Sequence, residues 1–281
     1  MSFIVNSPMN IILNQELLIR ITAFAGGMLL LLLWEFLSPR RIFHPPHRWL
    51  RRINNLILIA IDVYFVRLVM ATASVGAAAI ALGNRWGIFN LFPVPYWLAF
   101  ILTIILLDLV IYGQHVLFHK VNILWRIHRV HHTDWDFDTT TAVRFHPFEI
   151  LLSAFIKLAA VIILGAPVVA VLVFEVLLNV CSMFNHSNVA IPLTIDRYLR
   201  LFIVTPDMHR VHHSVIRRET DSNFGFNLPW WDRLFGTYTP QPRDGHEKME
   251  IGLREFQGKN TVNVLNLLIQ PFLNVTRQNS E

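Results

Sequence analysis

Residues 151–183 read LLSAFIKLAAVIILGAPVVAVLVFEVLLNVCSM, an apolar run broken once, at Gly165-Ala166-Pro167. A helix that spans a bilayer needs about 20 residues, so the run has room for more than one short span. Glycine and proline close together invite a turn near its middle. The run therefore reads as a helical hairpin of two short spans or as a re-entrant pair. Either form returns the chain to the side it came from, whereas a single span would leave it on the opposite side. The difference fixes the fold, because histidine clusters lie both before and after the run in sequence.

The composition points to lipid as the solvent. Of 281 residues, 54% are hydrophobic and 15% charged, against about 25% charged in soluble domains. The apolar residues come in blocks and not at helical spacing. Three further blocks cover residues 21–37, 56–82 and 96–118, the second with Asp62 and Arg67 as its only charges. The expected fold is an all-α integral membrane helical bundle of about four to five spanning or re-entrant helices with a histidine-rich helical cap. Turns are expected at Asn223, Gly225, Pro229 and Gly236 in the polar remainder of the chain.

The formal charge of +5 does not point to nucleic acid. Arg40, Arg41, Arg48, Arg51 and Arg52 sit between the first two apolar blocks, a juxtamembrane pattern. The loop between the second and third blocks carries only Arg85, so the positive-inside rule puts the first loop and the chain from His115 onward in the cytoplasm. The single cysteine, Cys181, excludes an intrachain disulfide framework and a CxxC metal site. The N-terminus lacks the basic start and cleavage site of a secretory signal.

Ten of the thirteen histidines fall between positions 115 and 213. Three clusters stand out: His115-Val-Leu-Phe-His119, His128-Arg-Val-His131-His132 and His209-Arg-Val-His212-His213. On a helix, positions i, i+3 and i+4 share a face, so each cluster can aim its imidazoles at one place. A lone histidine is more often a satisfied polar group than a ligand. Clustered imidazoles differ, because they repel when protonated and cost several kcal/mol when buried unpaired. A divalent metal ion removes both difficulties by binding the neutral lone pairs. Eight imidazoles exceed the four of a closed zinc site. With His146 and His186, which lie between the clusters in sequence, ten would suit two ions with four or five ligands each. His44, His47 and His246 are assigned no role.

Asp108, Tyr112, His115 and His119 make a polar stripe on the third block. An aspartate inside a span is a functional hypothesis, here as a partner of a ligand or in a wet cavity. Asp134, Asp136, Asp138, Glu149 and Asp207 flank the clusters and can orient ligand imidazoles through the second ring nitrogen.

The order H-x-x-x-H, H-x-x-H-H, H-x-x-H-H resembles the fatty acid hydroxylase (sterol desaturase) superfamily of membrane di-iron enzymes. Phe184-Asn-His-Ser-Asn-Val189, Thr205-Pro-Asp-Met-His-Arg-Val-His-His213, Asn223-Phe-Gly-Phe-Asn227 and Trp231-Asp-Arg-Leu-Phe-Gly-Thr-Tyr238 look like its C-terminal half. The resemblance covers residues 97–240 and implies a di-metal catalytic domain over 96–240. Residues 1–95 are then N-terminal membrane helices and 241–281 a C-terminal tail. It implies that His115, His119, His128, His131, His132, His209, His212 and His213 ligate two non-haem iron ions and that His186 joins them. His146 stays open between ligand and hydrogen-bond partner. Iron over zinc rests on the resemblance alone, and zinc can substitute in isolated protein.

The implied activity is hydroxylation or desaturation of a lipid (sterol, fatty acyl or ether lipid) with dioxygen. Electrons would come from an external ferredoxin-like or b-type cytochrome donor. The expected location is a bacterial inner membrane with the site facing the cytoplasm, the endoplasmic reticulum being the alternative. The rival readings are a membrane zinc-dependent hydrolase and a non-enzymatic metal-binding membrane protein. The first wants H-E-x-x-H, but Val116 follows His115. The second wants axial histidines opposed near the midplane, not three clusters at one membrane face.

Overall fold

The computed structural model describes residues 8–42, 47–70, 74–256 and 261–275, with side chains from residue 15 onward. His44 lies outside the described residues. Eight helices make the body: α1 (Pro8–Leu37), α2 (Arg48–Val69), α3 (Ser74–Gly83), α4 (Ile88–Leu91), α5 (Tyr96–Lys120), α6 (Asn122–His132), α7 (Pro147–Leu164) and α8 (Val168–Asn185). Shorter helices follow: α9 (Leu193–Leu199), α10 (Pro206–His212), α11 (Arg217–Thr220), α12 (Trp230–Leu234), α13 (Gly245–Lys248) and α14 (Val264–Ile269). Among the described residues only isolated bridges occur, such as Pro39 with Val189 and Ser214 with Ile251. Among the described residues, five stretches are long and apolar enough to cross a membrane: Gln15–Leu37, Arg48–Leu91, Tyr96–Lys120, Pro147–Leu164 and Val168–Asn185. The fold is that of an all-α, multi-pass membrane protein.

The run at 151–183 folds as a hairpin. α7 and α8 have 18 residues each, a length of about 27 Å against a hydrocarbon core of about 30 Å. That length suits two spans better than a re-entrant pair. Pro147 starts α7, with His146 at the N-cap, and Gly165 ends it in the left-handed region at φ 64°, the usual end of a helix that must reverse. Gly165 also meets the loop between α3 and α4. A Cβ on Gly87, itself at φ 88°, would lie 2.1 Å from the Gly165 nitrogen. Two backbones touch there, which seats the hairpin turn against the 84–95 loop.

The second apolar block departs from its expected single span over 56–82. α2 begins at Arg48, and α3 is a separate helix from Ser74, residues 71–73 lying outside the described residues. Arg51, Asn54 and Asn55 are polar and so fell outside the apolar block. They lie on the buried face of α2, not in solvent. Besides Val75, the buried positions of α3 are Ser74, Ala77, Ala78 and Ala81. The small side chains of these four let it pack closely on α7 and α8, where Val75, Leu107, Val161, Val171 and Phe174 form the largest apolar cluster.

Arg51 also departs from its juxtamembrane reading. It is fully buried and bridges Asp134 at 2.6 Å, Asp136 at 3.3 Å and Asp138. Burial raises the pKa of Asp138, but Arg51 and Arg52 outweigh it and hold the carboxyl below its usual range. Glu35, near the end of α1, accepts from the Thr139 nitrogen and hydroxyl at 2.7 Å each and from the Asn188 nitrogen at 2.8 Å. The two N-terminal helices thus end inside the cap and brace the 134–143 loop. Deeper in the bundle, Glu175 pairs with Arg20 at 2.5 Å and with Lys157, joining α1, α7 and α8 through paired buried charge.

The described residues after 240, 241–256 and 261–275, are built into the cap. Met249 and Ile251 pack on Phe137, and the Gly252 nitrogen donates to the His213 carbonyl at 3.0 Å. Leu267 packs on Leu58 and Val130. Buried Arg144 donates to the carbonyls of Val130 at 2.9 Å and Thr261 at 2.7 Å, tying the C-terminal segment to α6.

Candidate metal centre

The polar stripe on α5 is a seam for one segment of the cap, residues 221–238. Asp108 accepts from the Trp231 indole at 2.8 Å and from the backbone nitrogens of Leu228 and Asn227 at 3.2 and 3.3 Å. The Tyr112 hydroxyl meets the Thr237 hydroxyl at 2.8 Å. His115 Nδ1 lies 2.7 Å from the Phe224 carbonyl, and His119 Nδ1 lies 3.3 Å from Asp221. The segment is shaped for this contact. Asn223 takes φ 51°, and its side chain joins Met208 and Thr239. Asp232 accepts from the nitrogens of Phe224 at 2.8 Å and Gly225 at 2.9 Å. Asp108 therefore touches no imidazole; it holds the loop whose carbonyl holds His115.

Nine of the ten candidate histidines converge and are buried. His115, His119, His128, His132 and His212 form one group, and His131, His186, His209 and His213 a second, with the ligand atoms of each group within 4.8 Å of one another. The division crosses the sequence clusters. On α6, His128 and His132 are one turn apart and serve the first group, while His131 points to the second. On α10 the order reverses: His209 and His213 serve the second group and His212 the first. The repeated H-x-x-H-H thus straddles both groups, and the His132 and His213 rings stack across the boundary at 4.6 Å and 19°. His186 arrives at the end of α8, which requires the 151–183 hairpin.

His146 does not join them. Its Nδ1 caps α7 by accepting from the Phe148 nitrogen at 3.2 Å, and its Nε2 lies 3.2 Å from the Leu268 carbonyl. A backbone donor on one nitrogen and a backbone acceptor on the other use the whole ring, which leaves no lone pair for an ion. His246 is buried beside Asp207 at 3.7 Å, away from both groups.

The spacing suits an ion in each group. His119 Nε2 and His132 Nε2 are 3.1 Å apart, and His132 Nε2 and His128 Nε2 3.2 Å. His186 Nε2 lies 3.0 Å from both His131 Nε2 and His209 Nε2. Imidazole nitrogens bound at about 2.1 Å to one ion sit about 3.0 Å apart at right angles and about 3.4 Å apart in a tetrahedron. Nε2 of His115 and His212, and both nitrogens of His213, are buried without a hydrogen-bond partner among the described residues. Burial first, then the neighbouring imidazoles, holds the pKa values of His131, His132, His209 and His213 well below the ordinary range. Burial likewise pulls His186 down to about 3. Rings held below their ordinary range favour the neutral form, and lone pairs that converge in this way suit a divalent cation better than a proton.

Of the five flanking acids, only Glu149 reaches a converging ring, 2.6 Å from His128 Nδ1. Asp134, Asp136 and Asp138 turn to Arg51, and Asp207 to Arg210 and Arg40. Asp221 and the carbonyls of Phe224 and Ser222 escaped sequence reading. Backbone acceptors leave no mark in side-chain identity, and nothing local distinguishes Asp221.

Spanning helices, five among the described residues, around a buried two-part imidazole cage define a multi-pass membrane protein with a site fit for metal ions. The chain belongs to the fatty acid hydroxylase family, which residues 100–237 match. It is 30% identical over 205 residues to an ornithine lipid hydroxylase of Rhizobium tropici, covering 72% of this chain and 58% of that one. It is 31% identical over 174 residues to the human alkylglycerol monooxygenase, covering 60% and 36%. To the rat cholesterol 25-hydroxylase it is 27% identical over 144 residues, covering 50% and 47%. The chain thus spans between about a third and three fifths of the length of these relatives. No solved structure matches.

Proposed function

We propose that the chain is a lipid hydroxylase whose two histidine groups each hold one iron ion. The carrying observation is the convergence of nine buried imidazoles in groups of five and four. An all-imidazole donor set suits iron, zinc and copper alike, so iron rests on the family. Bound there, two iron ions supply the activation of dioxygen that insertion into an unactivated C–H bond requires. The overall balance is R–H + O2 + 2 e− + 2 H+ → R–OH + H2O, with electrons from a ferredoxin-like or b-type cytochrome donor.

The chain supplies position and dryness. α5, α6, α8 and α10 hold the rings in fixed places, and the carbonyls of Phe224 and Ser222, with Glu149 and Asp221, each face an Nδ1 so that Nε2 faces inward. Phe118, Phe137 and Phe224 are buried against the imidazoles and keep bulk water away from reactive species. The substrate on this reading is an apolar chain drawn from the bilayer. Hydroxylation is favoured over desaturation by the named activities of the relatives. On this reading the cap faces the cytoplasm of a bacterial inner membrane, which the excess of arginine between the first two apolar blocks supports.

The test is to incubate membranes containing the chain with ornithine lipids, alkylglycerols, sterols and fatty acyl lipids under reducing supply and to read product masses. A gain of about 16 mass units in one class is expected. A loss of about 2 would make the chain a desaturase, and no change in any class with an active donor would refute the proposal.

A further inference from the structure

We infer that the two halves of the cage are unequal: the five-imidazole group takes its ion first and holds it more tightly, and the four-imidazole group is the labile half. This rests on the di-metal reading above. The first ground is donor number, five against four.

The second, independent ground is what holds each ring from behind. In the first group, four rings meet an acceptor at Nδ1. His115 meets the Phe224 carbonyl and His212 the Ser222 carbonyl, both at 2.7 Å. His128 meets Glu149 at 2.6 Å, and His119 meets Asp221 at 3.3 Å. Each contact fixes the tautomer that leaves Nε2 free to coordinate, and the two carboxylates also make their rings better donors. In the second group only His186 is held this way, at 2.7 Å from the Ser182 carbonyl. Among the described residues, Nδ1 of His131 and of His209 is buried without a partner, and neither nitrogen of His213 has one.

Those three rings are placed by packing. His131 stacks on Phe145 at 4.5 Å and 9°, and His213 lies against Phe137 at 5.1 Å. A stack fixes the plane of a ring but not which nitrogen carries the proton. An ion arriving there must select the tautomer itself and leave a buried N–H unpaired, which costs binding free energy. Loss of acceptors of this kind weakens metal affinity by roughly 10–100-fold. Glu149 and Asp221 are therefore positioning residues for one half only.

The experiment uses the full chain in detergent, freed of metal by a chelator and titrated anaerobically with Co2+ against a competing chelator. Bound cobalt and its visible absorption are the readouts, so catalysis is not needed. Wild type is expected to bind two ions in two steps whose dissociation constants differ by at least about tenfold. His186→Ala should abolish the second step and keep the first. Glu149→Gln or Asp221→Asn should weaken the first step by roughly 10–100-fold and leave the second where it was. Two equal or cooperative steps in wild type overturn the inference whatever the variants do, as does an unmoved first step in both carboxylate variants. Failure of wild type to bind cobalt at all overturns the metal-centre reading and this inference with it.

Discussion

His131, inside the second cluster, and His146, which follows that cluster in sequence, have opposite surroundings. His131 stacks on Phe145 and points its Nε2 at His186, 3.0 Å away. His146 spends both nitrogens on backbone, as the cap of α7 and as a partner of Leu268. His146→Ala should lower stability by about 1 kcal/mol, the usual worth of an N-cap, and leave metal content unchanged. His131→Ala should insert into the membrane but lose activity. Metal analysis with a denaturation midpoint on both variants checks this, and loss of an ion from His146→Ala would restore it as a ligand. The three clusters were legible because several imidazoles at i, i+3 and i+4 have few other uses. The fate of His146 was not, because its partner Leu268 lies 122 residues away. Asp134, Asp136 and Asp138 misled for the same reason: their partner Arg51 is remote and read as a headgroup contact.

At the scale of elements, the α7–α8 hairpin decides whether His186 and the third cluster meet the first two. Its turn depends on Gly165, at φ 64°, where an added Cβ would lie 2.6 Å from the Trp86 carbonyl. Gly165→Ala should cost about 1–3 kcal/mol, from the left-handed backbone and the enforced separation of two touching loops. The measurement is the thermal midpoint of metal-loaded protein, and an unchanged midpoint would mean that the turn does not brace the bundle. The hairpin could be read from Gly165-Ala166-Pro167 because glycine and proline carry their backbone preference in their identity. The break between α2 and α3 could not, since hydropathy does not separate an apolar helix that continues from one that stops. The role of residues 241–256 and 261–275 in closing the cap was equally hidden, because Leu267 and Met249 gain their meaning only from distant Leu58 and Phe137.

For the whole molecule, the five spanning stretches put the 84–95 loop and the Gly165 turn at one end and the cap at the other. The orientation proposed above follows from charge asymmetry. In a Cys181→Ser background, Asn84→Cys should react with an impermeant maleimide added outside intact bacterial cells opened only at the outer membrane. Arg243→Cys, exposed on the cap, should react only after the inner membrane is breached, and the reverse pattern would turn the site to the other face. The central claim, that nine histidines from four helices and the residues capping them form one two-ion oxygen-activating centre, has a more direct test. Purified chain is loaded anaerobically with Fe2+, freed of excess metal and analysed for iron per chain, then exposed to dioxygen with a reductant while oxygen uptake is recorded. Two iron ions per chain with uptake that vanishes in His131→Ala is the expected result. Iron at one ion per chain or fewer, or two ions with no oxygen uptake, would contradict it.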